Sequence, residues 1–469
     1  MSFLLCAAAT CIAGLALLHL VGLATRRRAI DAPLAWFAGS GWFALFCFAC
    51  RFGGGIPFSW PLATVAFAVP PAAWLALRLR GGARSNGEDA APGPGVPARP
   101  ISRWIPRPIW LWLLVAAYVA VVLAAVLLHG FDTPTNTDDG VRLRALTPML
   151  AFADEWSPEA RGLLGMAGAV PTFVPAAAWL FTRSVDAFHV NYVVLTDLVA
   201  LLVLAVGLAS TRGTPERGWA SALGLLSIPL FVYHCTSTYQ DAVLAMYVGA
   251  AFLFAMEHGR TGEPRDLGRA LLVAVAAGMV KREGELVAAT VVAALLAYAA
   301  WRRARGASIP LGRLALLVAV PATALLLAKT AAFGLADASA MTRLLATRVE
   351  ATAAAGPAAA SAGLRREALE AFVYALFRSG NAGGIYWALA ATVIFAARAA
   401  ARSTGVAPLA LLALLLGEVA ASSIWLFPEF TLDQTTVHRA LLVVTVPAAL
   451  WLAAALVDTA WPESRPAPP

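Results

Sequence analysis

Runs of mostly apolar residues, each close to the length of a membrane span, recur along this sequence, and they constrain its fold more than any other feature. A helix needs about 20 such residues to cross about 30 Å of hydrocarbon. The runs begin at 3–24, 33–50, 58–77 and 109–129, and resume at 187–210, 218–236, 241–257, 268–281, 285–301 and 313–333. The last three are 384–398, 405–426 and 439–458. The expectation is an all-α, polytopic transmembrane helix bundle of about 13 spans, several of them short, with extracytoplasmic juxtamembrane helices. Composition agrees. Apolar residues make up 60% and charged residues 13%, about half the charge of a soluble chain. So little polar surface excludes a soluble enzyme, a disordered chain and a nucleic-acid-binding module.

The net charge of +8 says less than the placement of the basic residues. No basic residue precedes the first run and Arg26, Arg27 and Arg28 follow it, the reverse of a signal peptide. This reads as a retained helix with its N-terminus outside. Residues 163–182 are apolar but short, and Pro171 and Pro175 are expected to break them. If that segment does not cross, the basic ends at Arg26–Arg28, Arg78–Arg107, Arg212 and Arg217, Arg260–Arg269, Arg302–Arg313, and Arg398 and Arg402 share one side. With Arg465 that side holds 21 of the 35 basic residues, and by the positive-inside rule it is the cytoplasm. Residues 163–182 are therefore expected as a re-entrant or surface-lying helix pair on the outside.

The resulting organisation has N-terminal transmembrane helices at 1–80 and a cytoplasmic Pro/Gly/Arg-rich loop at 81–108. A core spans 109–458, with outer loops 130–186 and 334–383, before a disordered cytoplasmic tail at 459–469. Arg far outnumbers Lys and Ala is abundant, which suggests a GC-rich bacterial genome and hence the bacterial inner membrane. Cys47 and Cys50 form a CxxC inside an apolar run with no second pair or nearby His, so they read as small apolar residues.

Four charged clusters interrupt this pattern on the expected outer face. In TNTDDGVRLRAL (135–146), Asp138 and Asp139 are adjacent, with Arg142 and Arg144 behind them. A carboxylate there serves either as general base for an acceptor or as an ordinary helix cap. Asp241 opens an apolar helix and either caps it or faces the same cavity. Lys281, Arg282, Glu283 and Glu285 interrupt a long apolar stretch at Gly284. They form either a solvated hairpin turn or a functional cluster of costly charges. Lys281 is one of only two lysines, with Lys329. His438 and Arg439 open the last run. An outer arginine either snorkels or binds phosphate through its forked donors. No nucleotide-binding loop, nucleophile elbow or zinc-protease motif stands out, and acidic residues are scarce within the spans, which argues against an ion-coupled transporter.

Taken in order, the clusters resemble a known pattern. The chain is similar to polytopic glycosyltransferases of the GT-C superfamily, the bacterial relatives of protein O-mannosyltransferases and aminoarabinose transferases. The likeness covers about residues 109–458. Asp139, with Asp138 beside it, matches the acidic residue of the first large outer loop. VPTFVPAAAWL (170–180) matches the proline-bearing segment, and Tyr239-Gln240-Asp241 a YxD helix start. Lys281-Arg282-Glu283-Gly284 matches a KxEG turn, and Arg439 with Pro447 the late arginine helix. Two positions depart: Arg144 stands near where the family often has an aromatic residue and a lysine, and His438 replaces an acidic residue before the late arginine.

The resemblance implies transfer of a sugar on the outer face, from a polyprenyl-phosphate-linked donor entering from the lipid bilayer to a glycan, lipid or protein acceptor. It implies Asp139 as base or orienting group, Lys281 and Arg439 holding the lipid phosphate, Glu283 orienting Lys281, and Asp241 lining the cavity. Tyr239 and Arg144 join the expected substrate-binding set. No nucleic-acid partner and no organic cofactor is implied; no metal ligands are assigned, and a divalent ion stays open. Two other readings compete: a flippase or transporter of a lipid substrate, and a non-catalytic membrane protein that shares the fold.

Overall fold

Inside a bilayer no water is present to bond backbone groups, so a spanning segment satisfies them within itself by becoming a helix. The computed structural model describes residues 2–25, 27–82, 109–132, 151–152, 168–182, 187–237, 240–334, 359–404, 406–426, 428–432 and 434–460. Among them the regular elements are all helical. The first are α1 (Ser2–Leu20), α2 (Arg28–Gly53), α3 (Trp60–Gly82) and α4 (Ile109–Asp132), followed by α5 (Ala169–Thr182) and α6 (Ala187–Thr211). The pair α7 (Pro215–Leu226) and α8 (Pro229–Ser237) leads to α9 (Gln240–Thr261), α10 (Pro264–Ala277), α11 (Gly284–Ala304) and α12 (Leu311–Phe333). Then come α13 (Ala359–Phe377), α14 (Ile385–Thr404) and α15 (Val406–Ala421), which runs on into a π-helix, Ser422–Leu426. The short α16 (Pro428–Leu432) precedes α17 (Gln434–Ala460).

Among the described residues, eight helices are long and apolar enough to cross a membrane, or nine if α7 and α8, bent by 74°, form one span. This is a helical membrane protein. Each expected apolar run coincides with a helix except 218–236, which is divided between α7 and α8; α1, α4 and α14 contribute shorter apolar stretches and α10 is only 14 residues long. Burial sorts the helices into layers. In its most apolar window α9 is 94% buried and α17 89%, so these two form the centre, while α12, at 11%, lies on the periphery. A helix apolar on all sides is stable at either place: packed among neighbours, or facing lipid.

The N-terminal pair packs backbone to backbone. A Cβ on Gly14 would overlap the Ala35 carbonyl, and one on Gly39 the Thr10 carbonyl, so only glycine permits the observed approach of α1 to α2. Gly39→Val is expected to wedge the pair apart and lower stability by about 3 kcal/mol, measured by thermal unfolding in detergent. Deeper in, Trp36 of α2 donates to the buried Asp197 of α6 at 2.6 Å, joining two central helices through one polar contact.

One end of the bundle gathers the arginines that the sequence places on one side. Arg212 reaches Glu257, Glu263 and Asp266 at 3.0–3.3 Å. Arg269 pairs with Asp266 and donates to the Leu23 carbonyl. Arg217 of α7 pairs with Asp458 of α17, both buried. These contacts tie α1, α6, α7, α9, α10 and α17 together at that end.

The segment around Pro171 and Pro175 corrects one expectation. Its described part is a single unbroken helix, α5, with Pro175 inside it. Pro171 falls in the first turn, where its missing N–H costs nothing. Nor does α5 lie on a surface: Val170, Phe173, Val174 and Ala176 are buried. Its 14 residues rise about 21 Å. Residues 163–167 of the expected segment lie outside the described residues.

Candidate functional site

At the end of the bundle opposite the arginine network, α9 and α17 begin and the turn between α10 and α11 lies beside them. Some 16 residues of α9 separate Asp241 from Glu257, about 24 Å of helix. The turn is tight because Gly284, the first residue of α11, sits against the Ala277 carbonyl where a Cβ would not fit. That brings Lys281 over the start of α9.

The centre of the site is Asp241, 4% exposed. Its Oδ1 accepts from Lys281 Nζ at 2.6 Å and its Oδ2 from Arg439 Nε at 2.9 Å. Both carboxylate oxygens are thus engaged by cations from other elements, and Asp241 is their shared counter-ion. Glu283 stands 3.3 Å from Lys281 and is half exposed. Burial alone would lower the Lys281 ammonium's pKa, but the carboxylates of Asp241 and Glu283 outweigh it and raise the value, so the lysine is charged at neutral pH.

These residues border a cavity of about 400 Å³. Lys281, Arg439 and Arg282 supply positive charge to its wall, and Leu244, Leu286 and Val443 supply apolar surface. A third part of the wall is rich in hydroxyls: Ser422 and Ser423 on the π-helix, Thr431 on α16 and Thr436 on α17. Thr431 donates to the Ser423 carbonyl at 2.5 Å, tying α16 to the π-helix. π-Helical turns cluster at functional sites because their extra residue presents side chains an α-helix would turn away. Glu418, one turn earlier on α15, also lines the cavity, and its Oε2 is buried with no hydrogen-bond partner. The cavity can therefore hold an anion against one wall and a hydroxyl-bearing group against another.

The structure brings Asp241, Lys281, Glu283 and Arg439 together from three distant stretches of sequence. Asp138, Asp139, Arg144 and Tyr239 lie outside the described residues. The proline-bearing helix is adjacent to the turn: Val170 N–H donates to the Met279 carbonyl at 3.0 Å, two residues before Lys281. Glu285 pairs with Lys329, so both lysines of the chain are held by acids on or beside the same turn. His438 is buried beside Arg439. The residues that sequence reasoning missed are Glu418 and the hydroxyl wall. The signal for Glu418 was a lone acid inside LLALLLGEVAASS, an intramembrane charge of the kind that marks function.

Cys47 is buried. Among the described residues no three His, Cys, Asp or Glu side chains converge as a metal site requires. A comparison of the chain with protein-family models, with curated proteins and with solved structures finds no match.

Proposed function

We propose that this chain is a membrane glycosyltransferase of GT-C type, moving a sugar from a polyprenyl-phosphate-linked donor to an extracytoplasmic glycan, lipid or protein. The observation that carries the reading is the meeting of Asp241, Lys281 and Arg439 at one cavity. Two cations, fixed by a shared carboxylate, form a preorganised seat for a phosphate, and the hydroxyl wall nearby suits a sugar. Preorganised charge of this kind stabilises the negative charge that grows on a departing phosphate.

In the proposed reaction the acceptor oxygen attacks the anomeric carbon, and the bond from that carbon to the phosphate oxygen breaks. The bonding pair leaves with the phosphate, beside Lys281 and Arg439. The acceptor's proton passes to Asp139, with Asp138 adjacent. Glu283 holds Lys281 in place, and Tyr239 and Arg144 complete the substrate-binding set. In this reading the chain crosses the bacterial inner membrane about 13 times, α1, α4, α10 and α14 adding to the longer helices. The arginine network faces the cytoplasm and the cavity faces outward, in accord with the positive-inside rule.

The test uses a deletion strain and its parent. The parent's glycoconjugates are expected to carry a sugar that the deletion strain lacks, restored by the wild-type chain. Asp139→Asn is expected to insert at the wild-type level but restore nothing. Identical glycoconjugates in parent and deletion strain would sink the transferase reading, and full restoration by Asp139→Asn would remove Asp139 from its role.

A further inference from the structure

A second cavity among the described residues lies away from this site. It is a groove of about 520 Å³ between the end of α1 and helices α2, α10 and α12. Its walls are almost wholly apolar, and on the α12 side Leu316 and Val320 are 64% and 65% exposed. In a membrane such a groove fills with a hydrocarbon chain. What distinguishes it is its mouth. Arg265 and Arg313 stand there, at the end of the bundle where the arginine network lies.

Arg313 is held in place. Its Nη2 donates to the Val21 carbonyl, one of the backbone groups left open at the end of α1. Gly22, next along, has φ +67°, and a Cβ there would collide with the guanidinium. A glycine thus serves two needs at one position, a left-handed turn and room for the arginine. The groove's length also has meaning. From Arg313 to Ala324, at its far end, α12 rises about 16 Å, close to half of the roughly 30 Å hydrocarbon thickness. Along α12 this matches the depth of one leaflet, and along α10 and the turn after it the lining runs further, about 21 Å from Arg265 to Met279. Its far end is bounded by Met279, in the turn that carries Lys281.

We propose that this groove is a binding site for one anionic phospholipid of the cytoplasmic leaflet, with its phosphate at Arg265 and Arg313 and an acyl chain running along α12 toward Ala324. Basic pockets between helices on the cytoplasmic side select anionic headgroups, because two guanidiniums near a phosphate gain what a zwitterionic headgroup partly cancels. The site is independent of sugar transfer, rests on the proposed orientation only for its choice of leaflet, and is tested by binding alone.

The experiment uses the full chain purified in detergent and titrated with dioleoyl phosphatidylglycerol or dioleoyl phosphatidylcholine, read by native mass spectrometry and thermal shift. The wild type is expected to bind the anionic lipid about tenfold more tightly. Arg265→Gln with Arg313→Gln is expected to remove that preference. Val320→Trp, which fills the groove and leaves both arginines, is expected to weaken binding of either lipid. If loss of Arg313 prevents folding, Val320→Trp alone decides the matter. Glycerol phosphate, a headgroup without chains, is expected not to compete. Equal affinity for the two lipids, undiminished lipid binding by Val320→Trp, competition by glycerol phosphate, or a lipid-resistant dimer seated on this face would each overturn the proposal.

Discussion

Asp241→Asn is expected to be the most destabilising single change at the site, costing about 3–5 kcal/mol, the usual result of leaving buried charge without its partner. The carboxylate is the shared counter-ion of Lys281 and Arg439, at 2.6 and 2.9 Å. Asparagine keeps the shape and can still accept a hydrogen bond, but two cations then face each other with no negative charge between them. Unfolding of the purified protein in detergent measures the loss. A second variant separates charge from shape. Adding Arg439→Gln to Asp241→Asn removes one of the two stranded cations, so the double variant is expected to be more stable than the sum of the single changes, by about 1–3 kcal/mol of coupling. An Asp241→Asn protein as stable as the wild type would show that the carboxylate does not hold this cluster together.

In the proposed transfer reaction, Lys281→Met is expected to reduce the rate about 100- to 1,000-fold, the cost of removing one preorganised donor from a site of charge development. Methionine fills most of the lysine's volume, so the loss is electrostatic rather than one of packing. Asp241 then keeps Arg439, and the fold is expected to suffer less than in Asp241→Asn. Lys281→Arg retains the charge, but a planar fork does not match a compact ammonium, so partial activity is expected. Rates at saturating donor, with binding of the bare polyprenyl phosphate measured separately, distinguish a weakened transition state from weakened binding. A Lys281→Met protein with wild-type rate and lipid-phosphate affinity would exclude this lysine from the phosphate seat.

The sequence made the helical class plain, because apolar runs of spanning length have few other uses. It also made three arms of the site readable. Lys281 is a rare lysine in an arginine-rich chain, and Asp241 and Arg439 each interrupt an apolar pattern at a helix start. Their mutual contact was not readable, since 40 and 198 residues separate Asp241 from its two partners. Glu418 leaves a weak mark in the sequence, because one acid barely moves the hydropathy of its apolar run. The π-helix after it has no compositional mark. The expected break at Pro175 is absent for a physical reason: proline disrupts a helix by removing one bond and crowding the preceding turn, and the packing around the buried α5 tolerates that loss. Asp197, deep in α6, became intelligible only once Trp36 was seen against it.

The last described helix has a consequence for how the protein is made. α17 supplies Arg439 to Asp241 near one end and Asp458 to Arg217 at the other, contacts about 28 Å apart along its axis. Chains emerge from the ribosome in order, so α7 and α9 enter the membrane before either of these partners exists. Until α17 arrives, the nascent bundle carries Arg217 without the Asp458 carboxylate and Asp241 with only half of its cationic shell. Insertion of that one helix completes both ends together, which makes it the step at which a finished molecule differs chemically from an abandoned one. A chain stopped before α17 would lack the Arg439 partner of Asp241 at one membrane depth and the Asp458 partner of Arg217 at the other.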